Sequence, residues 1–485
     1  MNYKRATSTA HISALRVCLP AGRVFVRGES SSDGSGLNEA EFLEYGRDRL
    51  AQFHPDFDLL LLPDSSEEVI AAVRYCKEHN LALVPSGGRT GLAGGAVAGQ
   101  GEIVLSLGRM NRVLEFQPRL PAIRCEAGVI TAELQRYAAE QGFCFPLDLA
   151  AAGSSQIGGN IATNAGGTRV IRYGMLRDWI VGLKVVTGAG DVLTFPGGIL
   201  KNNTGPDLKH AFIGSEGIYG IILEATIRLA IAPRQPTTVL IGVPDIDVAQ
   251  VILQELRRQG MQPLAFEFFD QGCLEIVREH LNVAEPFREP VPGYVLLEWD
   301  AAEFDFDEAV TMFAGMEERH LIRALRPATS STQSAELWRL REGISESISM
   351  TRHVRKYDVS LPAECFAGFQ ANVIALCRDM AHVYPVFFGH LGDGNLHVNI
   401  VSSGAESRRT GDSHEFMEDT GNIDMEIYKL IGSLNGSISA EHGIGLLKKD
   451  YLHLSRSAVE IDYMRQLKSV FDPAGILNPG KVIPD

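Results

Sequence analysis

The chain reads as an α+β protein of more than one domain, on three observations. Helix-period and strand-like segments alternate along its length, before residue 230 as repeated strand–loop units. Three stretches dense in small residues interrupt that first part. Near IAPRQPTT (231–238) the texture changes, with Pro233 and Pro236 marking a boundary. At 485 residues the chain also exceeds what one hydrophobic core supports, so two or three domains are expected.

In chain order, residues 1–28 lack Asp and Glu but carry Lys4, Arg5, Arg16, Arg23 and Arg27, a composition shared with organellar transit peptides. The stretch soon becomes ARGVFVR, an alternating strand, which favours a bacterial-type cytoplasmic protein over a mitochondrial matrix one. SSEEVIAAVRYCKEHN (65–80) has a Ser cap, Glu67 and Glu68 in its first turn and Asn80 at its end, and predicts a helix. LALVPSGG follows as a short buried strand running into glycine. Beyond the boundary, TTVLIGV, LAFEFFD and GYVLLEWD predict strands, VAQVILQELRRQ and LWRLREGISESISM predict helices. SSGAESRRTGDSHE (402–415) reads as a solvated loop, and the tail with NPGKVIP as loop and short strand. The expected division is 1–54 as an N-terminal segment, 55–232 and 233–435 as two domains, and 436–485 as a C-terminal segment.

Composition narrows the function. The net charge of −15, without a Lys/Arg cluster, argues against nucleic acid or anionic membrane as a partner. Seven scattered cysteines without a CxxC pair argue against a disulfide framework, a Cys-ligated zinc or an iron–sulfur cluster. No apolar run approaches the ~18 residues that span a bilayer.

PSGGRTGLAGGAVAGQG places seven glycines between Ser86 and Gly101, and backbone N–H groups there can wrap an anion such as a pyrophosphate. No Gly-Lys-Ser/Thr follows and no GxGxxG occurs, so neither a P-loop nor a Rossmann fingerprint is present. PLDLAAAGSSQIGGNIATNAGG (146–167) and GSEGIYGIIL (214–223) are two more small-residue stretches. Three such loops suit a long ligand threaded through backbone, as a dinucleotide would be.

FGHLGDGNLHVNI (388–400) predicts a hairpin. His390 closes an apolar run, Gly392 to Asn395 supply turn chemistry, and Leu396, Val398 and Ile400 face away from His397 and Asn399. With Glu441, His390 and His397 make a three-ligand divalent metal site with one open position. Arg341, Ser345 and Ile348 fall at i, i+4 and i+7 on one helical face, and Lys356, Asp358 and Ser360 share a face of KYDVSLP. An Arg, a hydroxyl and a Lys converging on one pocket suit a carboxylate.

The order PSGGRTGLAGGA, PLDLAAAGSSQIGGNIATNAGG, FIGSEGIYGII, GHLGDGNLH, EHGIG, LNPGK resembles the FAD-linked 2-hydroxyacid dehydrogenases of the vanillyl-alcohol oxidase / p-cresol methylhydroxylase (PCMH) superfamily. The resemblance runs from about Leu59 to the C-terminus. It implies a PCMH-type FAD-binding domain, an α/β substrate (cap) domain with an antiparallel sheet, and a C-terminal segment returning to the flavin. It also implies FAD with Pro85, Gly87, Gly88, Arg89, Thr90 and Gly91 at the pyrophosphate. Pro146, Leu149, Gly153, Ser154, Gly158, Asn160, Ala162 and Thr163 would form a second wall, with Glu216, Gly217, Ile221 and Asn478 completing the site. Ile218-Tyr219 departs from the family's small or Thr-Leu pair. No loop position offers a His or Cys for a covalent link, so the FAD is expected to be dissociable.

Oxidising a 2-hydroxyacid removes a hydroxyl proton and passes a hydride from C2 to flavin N5. A metal chelated by hydroxyl and C1 carboxylate would lower the hydroxyl pKa, and Zn²⁺ suits that Lewis-acid role. His442 is the candidate general base, with an orienting histidine as its other reading, and Asn399 is expected to contact the substrate. The Arg341, Ser345 and Lys356 set resembles D-2-hydroxyglutarate dehydrogenases, with Ser in place of their Thr. D-lactate or glycolate dehydrogenases, and a flavin oxidase using oxygen, share the remaining motifs. With no haem or cluster motif, electrons must leave to an external carrier such as an electron-transfer flavoprotein or quinone. A homodimer is the expected assembly.

Overall fold

The computed structural model describes residues 8–29, 37–50, 52–199, 201–380, 382–403, 416–418 and 420–484. They fall into two compact units. One comprises the chain up to Gly166, Met175–Ala232 and Glu441 onward; the other comprises Gly167–Gly174 and Pro233–Ala440.

The first unit holds two sheets. Four strands, β1 (Val24–Val26), β2 (Leu59–Leu61), β3 (Leu83–Ser86) and β4 (Ile103–Ser106), run in the order β1-β2-β4-β3. β2, β4 and β3 are parallel, and β2 and β4 are buried at every position, as strands covered on both faces must be. Ser65 accepts the Glu68 N–H to start the helix Ser66–His79, and Asn80 ends it at φ +54°. Val69, Ala72, Val73 and Cys76, at i, i+3, i+4 and i+7, bury its inner stripe in the unit's core. Residues 8–28, read above as part of an alternative transit peptide, include the helix Thr9–Cys18 and strand β1, with Leu15 and Leu19 in the same core.

The second sheet is antiparallel in the order β5-β6-β9-β7-β8: β5 (Val113–Gln117), β6 (Ala122–Glu126), β7 (Ile180–Thr187), β8 (Val192–Phe195) and β9 (Gly220–Arg228). The C-terminal tail comes back to β3: the Leu83 N–H donates to the Ile476 carbonyl and the Asn478 N–H to the Leu83 carbonyl. Leu477 forms a single bridge with Leu83, and residues 478–484 form no strand, unlike the expectation for the tail. Pro479 has no N–H for a ladder, and Val482 sits at φ +65°.

The second unit is built on one seven-stranded antiparallel sheet. Its strands are β10 (Pro236–Val243), β11 (Pro263–Asp270), β12 (Gly293–Asp300), β13 (Ala324–Pro327), β14 (Val354–Ser360), β15 (Val383–Gly389) and β16 (Asn395–Ser402). The order is β13-β10-β12-β11-β15-β16-β14. Helices Gln271–Leu281 and Ser331–Thr351 bury Leu274, Val277, Leu337, Leu340 and Ile344 against Leu240, Phe269, Leu296, Val386 and Phe388 of one face. Phe387, Leu396, Val398 and Ile400 alternate with that set and are equally buried, so both faces are covered. The loop expected over 402–415 lies for the most part outside the described residues. Among the described residues, no helix is long and apolar enough to cross a membrane.

Candidate active site

The three small-residue loops of the first unit converge on one cleft of about 960 Å³, counting its solvent mouth. Pro85, Gly87, Gly88, Arg89, Thr90 and Gly91 line it from the first loop, Gly158, Asn160, Ala162 and Thr163 from the second, and Glu216, Gly217 and Ile221 from the third. His442 and Asn478 complete the wall from the C-terminal segment.

Close packing explains the glycines. A Cβ on Gly88 would run into the carbonyl oxygen of Ser154, so the first and second loops touch backbone to backbone. Gly153 and Ser154 are exposed, and Leu149 packs onto the core; with Pro146, they stand outside the cleft wall. The first loop leans on residues for which the sequence reading assigned no role. Asp48 accepts the Gly94 N–H at 2.7 Å, and the Arg89 guanidinium stacks 4.8 Å from the Tyr45 ring centroid. Gln156, between the small residues of the second loop, also lines the cleft, and its buried Oε1 has no hydrogen-bond partner. A buried acceptor left open at a cleft wall suits a donor on a ligand.

Glu216 fastens the third loop to the C-terminal segment. Its buried carboxylate accepts the N–H groups of Ile444 (2.7 Å) and Gly445 (2.9 Å), two and three residues past His442. Asn478 donates to the Glu216 carbonyl at 2.7 Å, and Lys481 donates to both Asn478 Oδ1 (3.0 Å) and the Gly95 carbonyl (3.1 Å). Burial raises the Glu216 carboxyl to about 6 despite its backbone donors, and burial lowers the Lys481 ammonium to about 8 despite Glu102, Asp48 and Glu216. The departing pair Ile218-Tyr219 is accommodated behind the loop, where Tyr219 packs on Phe471 and its hydroxyl donates to the Met464 carbonyl at 3.2 Å.

The second unit carries the other candidates on one sheet face. β14 pairs with β16 so that Lys356 lies opposite Asn399, Asp358 opposite His397 and Ser360 opposite Asn395. Directly opposed residues of antiparallel strands share a face, so the shared face expected for Lys356, Asp358 and Ser360 is also that of His397 and Asn399. The hairpin turn is a 3₁₀ turn at Leu391–Asp393 followed by Gly394 at φ +89°. The rings of His390 and His397 stand 5.4 Å apart at 83°. Asp358 is fully buried; it accepts the Asn395 amide at 2.8 Å and the Ala440 N–H at 3.1 Å, and lies 3.7 Å from His397 Nδ1.

Glu267, in the apolar run LAFEFFD, received no role from sequence. It is fully buried, and its two oxygens lie 2.8 Å from His390 Nδ1. Arg341 Nη2 lies 2.7 Å from Glu267 Oε2, and the guanidinium stacks 4.8 Å from the Phe388 ring centroid. Burial alone would raise the Glu267 carboxyl; His390 and Arg341 overcome it and hold the group below its ordinary value. The available signal was a lone carboxylate in a strand otherwise too apolar to leave it unpaired. Ser345 is exposed, and Lys356 donates instead to Ser349 Oγ at 2.7 Å, one helical turn further on. Buried atoms on this face without a hydrogen-bond partner include Arg341 Nε, Asn399 Nδ2 and Asn395 Oδ1, and Arg341 Nη2 meets Glu267 as an ion pair without hydrogen-bond geometry.

Comparison with known proteins gives the family. Residues 57–196 match the FAD binding domain family and residues 232–482 the C-terminal domain of FAD linked oxidases. The D-2-hydroxyglutarate dehydrogenase of Stutzerimonas stutzeri (strain A1501) is 42% identical over 483 residues, spanning 98% of this chain and 99% of that protein. The mitochondrial D-2-hydroxyglutarate dehydrogenase of Rattus norvegicus is 39% identical over 429 residues, 88% of this chain and 78% of that protein. In fold alone, the chain is similar to p-cresol methylhydroxylase with substrate bound (TM-score 0.73, 16% identity, 100% of this chain and 98% of that one). The same holds for 4-ethylphenol oxidase from Gulosibacter chungangensis (TM-score 0.72, 18% identity, 100% and 99%). A chain with the PCMH-type fold, both domains of the FAD-linked oxidases and these relatives over 88–98% of its length belongs to that family, as an FAD-dependent dehydrogenase of D-2-hydroxyacids.

Proposed function

We propose that the protein oxidises D-2-hydroxyglutarate to 2-oxoglutarate, using non-covalently bound FAD and one divalent metal ion, Zn²⁺ by ligand type. The observation that carries this reading is the sheet face that sets Lys356 against Asn399 and Asp358 against His397. Arg341, in the helix Ser331–Thr351, stacks on Phe388 of the same sheet. Relatives at 42% and 39% identity named as D-2-hydroxyglutarate dehydrogenases support the same substrate.

The donor types suit a metal. His390 directs Nδ1 at a carboxylate, which can only accept, so Nε2 carries the lone pair that a ligand needs. His397 is the second ligand in this reading. Glu441 is the third; it follows Ala440, whose N–H meets Asp358, and adjacent residues are about 3.8 Å apart. The ion, when bound, would polarise the C2 hydroxyl, and FAD, when bound, accepts the C2 hydride. Gln156 and the first and third loops hold the cofactor. An imidazole nitrogen of His442 takes the hydroxyl proton. Asn399 Nδ2 and Arg341 Nε, both without a partner, and Lys356 Nζ orient the two carboxylates, with Ser345 at the end of that set. Electrons then leave to an external carrier, an electron-transfer flavoprotein or quinone. The cytoplasm and a homodimer complete this reading.

One observation favours D-lactate or glycolate instead: Ser345 is exposed and Lys356 is held by Ser349. Anaerobic titration of the flavin band separates the two. Bleaching by D-2-hydroxyglutarate at much lower concentration than by D-lactate is the expected result, and the reverse order would discard the dicarboxylate. Lys356→Ala should cut kcat/KM for D-2-hydroxyglutarate tens- to hundreds-fold, about 2–3 kcal/mol, and that for D-lactate far less. Equal losses for both acids would remove the distal-carboxylate role.

A further inference from the structure

We infer that Glu267 is a positioning residue that sets the candidate metal ligand His390 and the candidate substrate arginine Arg341 from a single carboxylate. The inference rests on the reading above and deepens it. Glu267 is fully buried in the middle of β11, and both its oxygens reach His390 Nδ1 at 2.8 Å while Oε2 also meets Arg341 Nη2 at 2.7 Å. A carboxylate accepts and never donates, so His390 is held with its proton on Nδ1 and its lone pair on Nε2. A histidine tied this way binds metal in one orientation and with greater basicity, and losing such a partner typically costs about 10–100-fold in metal affinity.

The same carboxylate fixes the arginine. With Nη2 drawn to Glu267 and its plane laid over Phe388, the guanidinium cannot turn to another rotamer without stranding a buried charge. Its Nε is left pointing at no acceptor of the protein. Glu267 thus joins the two ends of the substrate pocket, the end that would hold the hydroxyl and the end that would hold the distal carboxylate.

The test compares the purified holoenzyme with Glu267→Gln and Glu267→Asp. After metal depletion, zinc affinity is measured by competition with a chromophoric chelator, beside steady-state kinetics with D-2-hydroxyglutarate and the visible flavin spectrum. Expected for Glu267→Gln are an unchanged flavin band, zinc affinity lowered about 10–100-fold, a raised KM for the dicarboxylate, and partial recovery of kcat in excess zinc. The amide keeps the size of the side chain but turns a donor toward Arg341, so both losses should appear together. Glu267→Asp, which retains the charge, should restore part of both, and it carries the test if Glu267→Gln loses its flavin. Zinc affinity and KM equal to the parent's would overturn the inference while leaving the metal reading intact. A parent enzyme that binds no zinc would overturn the metal reading itself, and the inference with it.

Discussion

Single buried charges decide how the first unit behaves. Glu216 pins the segment that follows His442, and Lys481 ties the first loop to Asn478. Glu216 has a folded-state pKa of about 6 against an ordinary 4.5, so the folded protein binds its proton more tightly than the unfolded chain. Its ionisation therefore costs stability: the full contribution is present below about 4.5 and fades as pH rises past 6, by about 2 kcal/mol in all. Glu216→Gln removes that titration. Its thermal midpoint relative to the parent should rise between pH 5 and pH 8, and a difference that does not move with pH would refute the assignment. Glu216 was legible from the sequence as part of the third loop. Lys481 and Glu267 were not, because a buried charge is recognisable only with its partner, and Gly95 and His390 lie hundreds or about a hundred residues away along the chain.

At the scale of elements, periodicity and punctuation carried most of the information. The helix over Ser66–His79, with its Ser65 cap and Asn80 stop, and the strands of LALVPSGG, GYVLLEWD and LHVNI follow from local patterns that tertiary packing reinforced. The parallel pairing of β2, β4 and β3 could not be read, since strand order depends on which buried runs meet across a crossover. The same holds for the face shared by β14 and β16, where the residues were named from each strand separately and the register joined them. The glycine loops were read as ligand cradles, yet part of their glycine serves loop against loop. Gly88→Ala tests that distinction. Its methyl group would meet the Ser154 carbonyl, so the first loop must shift off the second. Displacement of that kind typically costs about 1–3 kcal/mol. If the cradle also holds the cofactor, FAD affinity should fall by roughly ten- to a hundredfold, measured by the flavin retained on dilution. Affinity within twofold of the parent would show that the loop contact does not shape the cofactor site.

For the whole molecule, the division of labour between the units makes a prediction of its own. All the residues that line the cleft, His442 included, belong to the first unit. Arg341, Lys356, His390, His397 and Asn399 belong to the second. The chain passes between them at residues 166/167, 174/175, 232/233 and 440/441. The boundary near 232 was legible because two prolines and a change of texture mark it. The excursion 167–174 was not: GTRVIRYG carries no pattern of its own and is claimed by the second unit through Arg169 on Glu298 and Arg172 on Glu303. Glu441, the third ligand of the proposed metal site, belongs to the first unit, so the separation is one of groups rather than of units, and flavin and metal should still be separable in experiment. Treating the holoenzyme with a strong chelator should remove the metal and leave the yellow flavin band unchanged, because in this reading no group that holds FAD is a metal ligand. The chelated protein should no longer be bleached anaerobically by D-2-hydroxyglutarate, and adding zinc should restore bleaching. Loss of flavin together with metal would mean that the two sites are one structural unit. Full bleaching without metal would leave His390 and His397 as structural residues and return the proton chemistry to His442 alone.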